Sequence, residues 1–291
     1  MGTRGVRIAA VWFVSVAAFS TIAVAQANKP AATTRPAVVS LDVFAADDPL
    51  LASPDAAKAL SATPITFKCE NMPALKALAE IGKLAGYKIK PGYDGWFQQG
   101  RNSPRNVTVS ITNQPFWAAV REVCARSGVN LYRGGNEDYI GLAPGNYGGT
   151  GMMKSSASIK GPFMVCVNGV RRINTVDMSK PSEAKHEIHV NLGTWLEPKL
   201  KAEQLSYRAT IDEAADDNGN NMTPTEKVDA HQQMQGGQGF SFWGEFTLPY
   251  PPSNPGKRIA RVKGHLAAKV QIGQESKEIE IPFELVDLPL P

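Results

Sequence analysis

The N-terminal half of the chain interleaves strand-like and helix-like patterns. Apolar residues at every second position predict a strand before each of two helices, and apolar residues at i, i+4 and i+7 predict the helices. The strand positions are Ile65, Phe67 and Cys69, then Val107, Val109 and Ile111, and the helix positions are Ala74, Leu78 and Ile81, then Phe116, Val120 and Val123. Short strands at 87–90 and 130–132 complete two units of strand, helix and strand.

The two units are copies of one pattern. Residues 65–89 align without gaps on residues 107–131, at an offset of 42 residues. Asn-x-Pro precedes each helix, where the missing N–H of proline costs nothing, and a glycine follows, where a positive φ ends the helix. The identical pairs are Thr66/Thr108, Asn71/Asn113, Pro73/Pro115, Ala77/Ala119, Glu80/Glu122 and Gly86/Gly128. Together the units predict one small α+β domain.

This repeated order of strand, Asn-x-Pro turn, amphipathic helix, glycine and strand resembles the secretin and TonB short N-terminal (STN) domain. The resemblance covers residues 64–142. It implies a non-catalytic module that contacts an envelope protein in the periplasm of a Gram-negative-type cell. Members of that family usually precede a β-barrel or a secretin pore, which is not predicted in this sequence.

Beyond residues 143–159, which are predicted as a Gly-rich linker, the apolar pattern has a period of two. At least six strands and no helix are expected over 160–291, which favours an antiparallel, immunoglobulin-like β-sandwich. The strands are placed around 163–170, 188–192, 205–211, 240–248, 262–272 and 279–285. The polar stretch Asp212 to Gly239 is predicted as a flexible loop. This half resembles only uncharacterised secreted planctomycete proteins, which implies no function.

The first 27 residues predict a secretory signal peptide. Arg4 and Arg7 form its basic start, residues 8–19 its apolar core, and Ala25 or Ala27 the small residue before cleavage. An uncleaved membrane anchor is the alternative, and after cleavage no transmembrane segment is expected. Residues 28–63 are predicted as a flexible linker that contains one short helix, Asp55 to Ala62.

The net charge of the chain excludes one class of binding partner. The sequence has 31 Lys and Arg residues against 27 Asp and Glu, and the two arginines of the signal reduce the mature excess to +2. So balanced a chain has no basic footprint for nucleic acid, and we exclude that class. The expected protein is periplasmic or secreted and binds an envelope protein.

The segment between the two repeats is the main candidate for a binding surface. Aromatic residues with arginine on a loop have the composition of a recognition site. The candidate contacts are Tyr93, Trp96, Phe97, Arg101 and Arg105. Alternatively, Trp96 and Phe97 fold back to cover the core. Trp243 is a further candidate, predicted on the outer face of its strand.

Cys69 and Cys124 are both predicted to face one small core. In an oxidising compartment a bridge between them would close a loop of about 56 residues and contribute ~4 kcal/mol. Two buried free thiols are the alternative, because cysteine often serves as a small apolar residue. Cys166 lies in an apolar strand and is expected to be inert.

The histidines do not form a predicted metal site. His186 and His189 are three apart on a strand and face opposite sides. His265 is expected on a polar strand face and His231 in the flexible loop. Solvated histidines are therefore expected, and no metal ligands are assigned.

One acidic stretch has the start of a calcium-loop pattern. Asp216, Asn218 and Asn220 have the right first spacings, but Asn221 and Lys227 stand where glycine and glutamate belong. A turn leaving a strand explains the same residues. No nucleophile motif or phosphate loop occurs, so we expect no cofactor and no catalytic residue. The alternative function is an exported carbohydrate-binding or carbohydrate-processing protein, and a metal-dependent enzyme is a third hypothesis.

Overall fold

The computed structural model describes residues 53–97, 103–132, 139–145, 155–180, 184–236 and 240–291. The predicted signal peptide, residues 28–52 of the predicted linker and Arg101 lie outside the described residues. In the N-terminal half the elements are α1 (Pro54–Leu60), β1 (Pro64–Pro73), α2 (Ala74–Ala85), β2 (Ile89–Pro91), β3 (Asn106–Pro115), α3 (Phe116–Ser127), β4 (Val129–Tyr132) and β5 (Ile140–Pro144). Among the described residues, no helix is long and apolar enough to cross a lipid bilayer.

The short helix predicted in the linker is confirmed as α1. Its first turn is capped by Ser53, whose Oγ accepts a hydrogen bond from the Ala56 N–H at 3.1 Å. The helix ends at Leu60, two residues earlier than expected.

The sequence repeat is also a structural repeat. The strands β1 and β3 pair antiparallel, and the N–H of Asn71 donates to Thr108 Oγ1 (2.9 Å), as the N–H of Asn113 does to Thr66 Oγ1 (3.0 Å). Both asparagines have positive φ, 46° and 49°, and each lies three positions before the first residue of its helix. The predicted glycine ends of α2 and α3 are confirmed, with φ of 77° and 75°.

The end of the second repeat differs from the prediction. A second sheet of this half forms from β2, β5 and β4, in which β5 is parallel to β2 and antiparallel to β4. The predicted linker 143–159 is wrong at both of its ends, because Ala143 and Pro144 belong to β5 and Ala157 begins another strand. Ala143 is fully buried, and turn-forming composition did not reveal this packing.

The C-terminal half is built from antiparallel strands in two sheets, compatible with a β-sandwich. Its elements are β6 (Ala157–Lys160), β7 (Phe163–Thr175), β8 (Lys185–Leu196), β9 (Lys201–Ser206), β10 (Thr210–Asp216), a 3-10 turn (Ala230–Gln233), β11 (Met234–Gly236), β12 (Ser241–Pro249), β13 (Arg258–Ile272) and β14 (Glu275–Pro289). One sheet has the order β12-β8-β7-β6. In the other, β13 pairs with β14 on one side and with β10 and then β9 on the other.

Two predictions in this half are corrected. The alternating run 205–211 is two strands rather than one, since β9 and β10 pair with different parts of β13. The segment 212–239 is not a flexible loop throughout, because its first residues complete β10 and Met222 is fully buried. Its polar composition reflects local side-chain hydrogen bonds, described below for Asp216.

The two halves share one continuous hydrophobic core. Trp117 on α3 is fully buried, its Nε1 donates to the Pro162 carbonyl at 3.1 Å, and its ring lies 6.0 Å from that of Trp195 on β8. Trp195 lies on the outer face of its sheet, and the N-terminal half covers that face. The remainder of the face is available to solvent at Trp243, which is 60% exposed.

Candidate functional site

Residues 92–97, which we call the aromatic turn, follow β2 directly. The N–H of Gly92 donates to the Leu142 carbonyl at 2.9 Å, which fixes the start of the turn on β5. A side chain at position 92 would lie 2.2 Å from the ring of Tyr132, so only glycine allows this ring to pack against the backbone. The turn is closed by a hydrogen bond from the Trp96 N–H to the Tyr93 carbonyl at 3.2 Å.

The aromatic rings of the turn form a row of edge-to-face contacts that ends at the solvent-exposed Tyr93. Trp96 packs edge-to-face on Tyr132, with centroids 4.7 Å apart, and Tyr93 packs on Trp96 at 6.1 Å. Phe97 is half-buried against the core, whereas Tyr93 is 65% exposed. The structure therefore divides the candidate residues, placing Phe97 with the core and Tyr93 with the surface.

The remaining candidates of the segment lie elsewhere or are not described. Arg105 is exposed just before β3, where its N–H donates to the Ser127 carbonyl at 3.2 Å. Arg101 lies outside the described residues. The sequence pattern did not reveal Tyr132 or the neighbouring pair of Lys90 and Tyr139, in which the ammonium group lies 4.1 Å from the ring centre. Aromatic residues at the ends of β4 and β5 were the available signal.

Trp243 lies on the exposed outer face of the sheet β12-β8-β7-β6. Its cross-strand partner on β8 is Gly193, which has no side chain. Two residues along β12, Glu245 lies 3.9 Å from the Arg208 guanidinium. Glu245 also accepts a hydrogen bond from the Tyr207 hydroxyl, which together with burial raises the pKa of that phenol. An exposed indole thus stands beside a polar cluster.

A buried polar cluster joins the two halves of the chain. The Glu197 side chain has no exposed surface and accepts hydrogen bonds from the Thr63 N–H (3.0 Å), the Thr63 hydroxyl and the Tyr87 hydroxyl (2.9 Å). The ammonium of Lys199 lies 3.5 Å from the same carboxylate and donates to the carbonyls of Ser61 and Lys58.

The groups of this cluster are suited to a structural role, which is to hold the two halves of the chain together. Burial, followed by the charge of Glu197, raises the pKa of Tyr87 well above its usual value, so the phenol keeps its proton and donates it. Burial lowers the pKa of Lys199, opposed by the attraction of Glu197. Each described partner of the carboxylate comes from the chain itself, which suits attachment of the N-terminal half to β8 and the turn after it.

Two histidines meet at one carboxylate on the other sheet. The Nε2 atoms of His231 and His265 each lie 3.7 Å from Glu280 Oε1. Asp212 lies 3.3 Å from His265, and Glu278 lies 3.6 Å from His231. The sequence pattern did not predict that these histidines meet, because their segments are distant along the chain. No group of three or more His, Cys, Asp or Glu in the described ranges is arranged to hold a metal ion.

Asp216 ends β10 and organises the turn that follows. Its carboxylate accepts hydrogen bonds from the backbone N–H groups of Asn218 (3.0 Å), Asn220 (2.8 Å) and Gly256 (2.7 Å), and from the Asn220 side-chain amide (2.7 Å). Both carboxylate oxygens therefore face N–H donors, as in a structural turn. This arrangement supports the turn interpretation over a calcium loop.

All three cysteines are buried free thiols. Cys69 donates to the Val107 carbonyl at 3.6 Å and Cys166 to the Gly193 carbonyl at 3.3 Å. Burial raises the pKa of Cys124 to about 12, which disfavours the reactive thiolate. The Cys69–Cys124 bridge is thus not formed in this structure, and both residues contribute to the core instead.

The chain was compared with family models, with curated proteins and with solved structures. It matches no family model, no curated protein and no solved structure.

Proposed function

We propose that this chain is an exported, non-catalytic binding protein that contacts a protein partner of the cell envelope through the aromatic turn. The observation that carries the proposal is Tyr93, which is 65% exposed on a turn whose Trp96 packs against Tyr132. A large aromatic side chain on a fixed turn buries much area and loses little entropy on binding. The signal pattern of residues 1–27 gives the periplasm as the expected compartment.

The architecture of the chain suggests that the C-terminal half positions the N-terminal half for binding. We assign residues 64–142 to an STN-like module because strand, turn and helix repeat there with the same backbone conformations. We assign residues 160–291 to an immunoglobulin-like sandwich on the basis of two antiparallel sheets. The sandwich acts as a spacer or second contact site, joined to the module through Trp117 and Glu197.

The test is recovery of a partner from an envelope fraction by tagged full-length protein. Tyr93→Ala is expected to reduce recovery at least about tenfold, because truncation of an aromatic anchor costs roughly 2 kcal/mol or more. The matched control is Leu84→Ala, which removes another exposed apolar side chain from the same half, 57% exposed on α2. Equal recovery by Tyr93→Ala and wild type would contradict the proposal, as would failure of wild type to recover any partner.

Carbohydrate binding at Trp243 is the second candidate function. The favouring observation is an indole 60% exposed beside the Glu245, Tyr207 and Arg208 cluster. A flat aromatic ring next to hydrogen-bonding groups suits the apolar face and the hydroxyls of a sugar.

Co-sedimentation with insoluble peptidoglycan and with cellulose tests this second function. Binding that is lost in Trp243→Ala and kept in Tyr93→Ala would support it. The absence of sedimentation with either polymer would count against it.

A further inference from the structure

A cleft of about 440 Å³ opens beside the last residues of β12. It lies between Glu245–Pro249 on one side and the segment 224–228 on the other, and the first residues of β8 form one end. Ile211, Pro224 and Val228 contribute apolar surface to it, and charged side chains line the remainder. The cleft is distant in sequence from the aromatic turn and shares no lining residue with it.

The backbone of β12 faces this cleft with its free edge. The N–H of Glu245 donates to the Tyr207 carbonyl (2.9 Å), and the Glu245 carbonyl accepts from the Ala209 N–H (3.0 Å). Both groups of Glu245 therefore point away from β8. Because this direction alternates along an antiparallel strand, the N–H and carbonyl of Thr247 point the same way. Tyr250, in the opposite phase, donates to the His186 carbonyl at the β8 side (2.9 Å).

The chain itself occupies only the first position on this edge. Arg208 forms a parallel bridge with Glu245, and the chain then leaves the edge, because Thr210 begins β10 in the other sheet. Within the described ranges, β12 pairs only with β8 beyond that point. Tyr207–Ala209 thus shows the geometry in which an extended chain pairs with this edge, and Thr247 offers the next donor and acceptor.

We propose that this cleft binds an extended peptide segment of a partner protein, which adds to β12 as a short parallel strand in line with Tyr207–Ala209. The carbonyl of one peptide residue would accept from the Thr247 N–H, and the N–H two residues further would donate to the Thr247 carbonyl. Such edge addition obtains affinity from the main chain and specificity from alternate side chains. The three residues Thr247 to Pro249 contribute ~10 Å of strand, which limits the paired segment to about three residues.

The lining of the cleft defines the chemistry of this peptide. The alternate side chain that points inward meets the surface of Ile211, Pro224 and Val228, so a small or β-branched apolar residue fits there. The rim balances Lys185, Arg208 and Lys227 against Glu187, Glu226 and Glu245. A peptide without strong net charge is therefore favoured. Pro249, which lacks an N–H, ends the donor edge and restricts longer strand pairing.

The variant Thr247→Pro tests the site most directly. It removes the backbone N–H of residue 247, which points into the cleft. The hydrogen bonds between β12 and β8 are kept, because that N–H points away from β8. Thr247→Val is the matched control, since it keeps the N–H and a β-branched side chain. A random heptapeptide phage library panned on the full-length chain supplies the probe, and selected sequences are then synthesised for titration calorimetry.

We expect selected peptides to bind wild type and Thr247→Val equally, and Thr247→Pro at least about tenfold more weakly. Methylation of single peptide amides should weaken binding at alternate positions only, which tests edge pairing even if Thr247→Pro fails to fold. Tyr93→Ala should bind the peptides as wild type does. The proposal for this cleft and the proposal for the aromatic turn can therefore be tested independently. No enriched peptide, equal binding by Thr247→Pro, or insensitivity to amide methylation would overturn the proposal.

Discussion

At the scale of single residues, Asp216 provides hydrogen-bond acceptors for backbone N–H groups at the point where β10 ends and sheet pairing stops. Its side chain is only 3% exposed and satisfies three backbone N–H groups that no sheet partner reaches. Burial alone would raise the pKa of Asp216, but the hydrogen bonds from Asn220, Gly256 and Asn218 together lower it below the usual value. The ionised form is therefore the one that stabilises the fold.

This sign predicts acid sensitivity that depends on Asp216. A carboxyl group with a lowered pKa stabilises the protein above its unfolded-state pKa, and the contribution is lost as the pH falls through the folded-state value. Asp216→Asn should therefore destabilise the protein by roughly 1–3 kcal/mol at pH 7 and by less near pH 2. Urea unfolding at both pH values measures the difference.

Asp94→Asn is the control for this change, because its carboxyl group is exposed on the aromatic turn. It should leave the unfolding free energy within ~0.5 kcal/mol of wild type. A destabilisation by Asp216→Asn that is the same at both pH values would contradict the assigned role of the ionised group.

At the scale of elements, β3 and α3 repeat β1 and α2 because the same proline and glycine signals bound both helices. Pro73 and Pro115 precede helices that end at Gly86 and Gly128. The backbone of both glycines adopts the left-handed conformation. A Cβ added at either glycine would meet no atom within 4 Å. The cost of a side chain there is therefore conformational and not steric.

Gly86→Ala and Gly128→Ala are expected to lower the free energy of unfolding by similar amounts, about 1–2 kcal/mol each, because an L-residue is strained at positive φ. Gly236→Ala is the matched control, since position 236 also has open space but no positive φ. It should be neutral or slightly stabilising. Urea denaturation of the three variants decides the matter, and a neutral effect at Gly86 or Gly128 would refute the conformational argument.

At the scale of the whole molecule, the N-terminal half is held to the C-terminal half by packing and by buried hydrogen bonds. Trp117 inserts against Trp195, and Glu197 accepts from both Thr63 and Tyr87. Arg121 on α3 also donates to the Ser155 carbonyl. Such a junction couples the stability of one half to the other, and any partner bound at the aromatic turn is thereby fixed relative to β12.

Unfolding of the described fold is therefore expected as one cooperative transition, with far-UV circular dichroism and tryptophan fluorescence changing together. Glu197→Gln should lower the free energy of unfolding by about 1–3 kcal/mol, because its amide presents donors to the Thr63 and Tyr87 donors. Glu70→Gln, at a side chain 77% exposed on β1, is the control and should have little effect. Two separate transitions in wild type would show that the halves are not coupled.

The sequence by itself determined the helices and most of the strands. Proline, glycine and the spacing of apolar residues act within a few positions along the chain, so the ends of α2 and α3 could be predicted from local pattern alone. The outward direction of Trp243 followed in the same way, from alternation along β12. The aromatic turn could be located as a candidate, but its division into exposed Tyr93 and half-buried Phe97 could not.

Only the tertiary structure decided which distant residues meet. Local periodicity carries no information on the partner across a sheet, so it did not reveal that His231 and His265 share Glu280, or that Glu197 is buried beneath Thr63. The split of 205–211 into β9 and β10 arises because Tyr207–Ala209 leave β13 and bond to Glu245 of β12. The free edge at Thr247 has the same origin, since it depends on where Tyr207–Ala209 leaves β12.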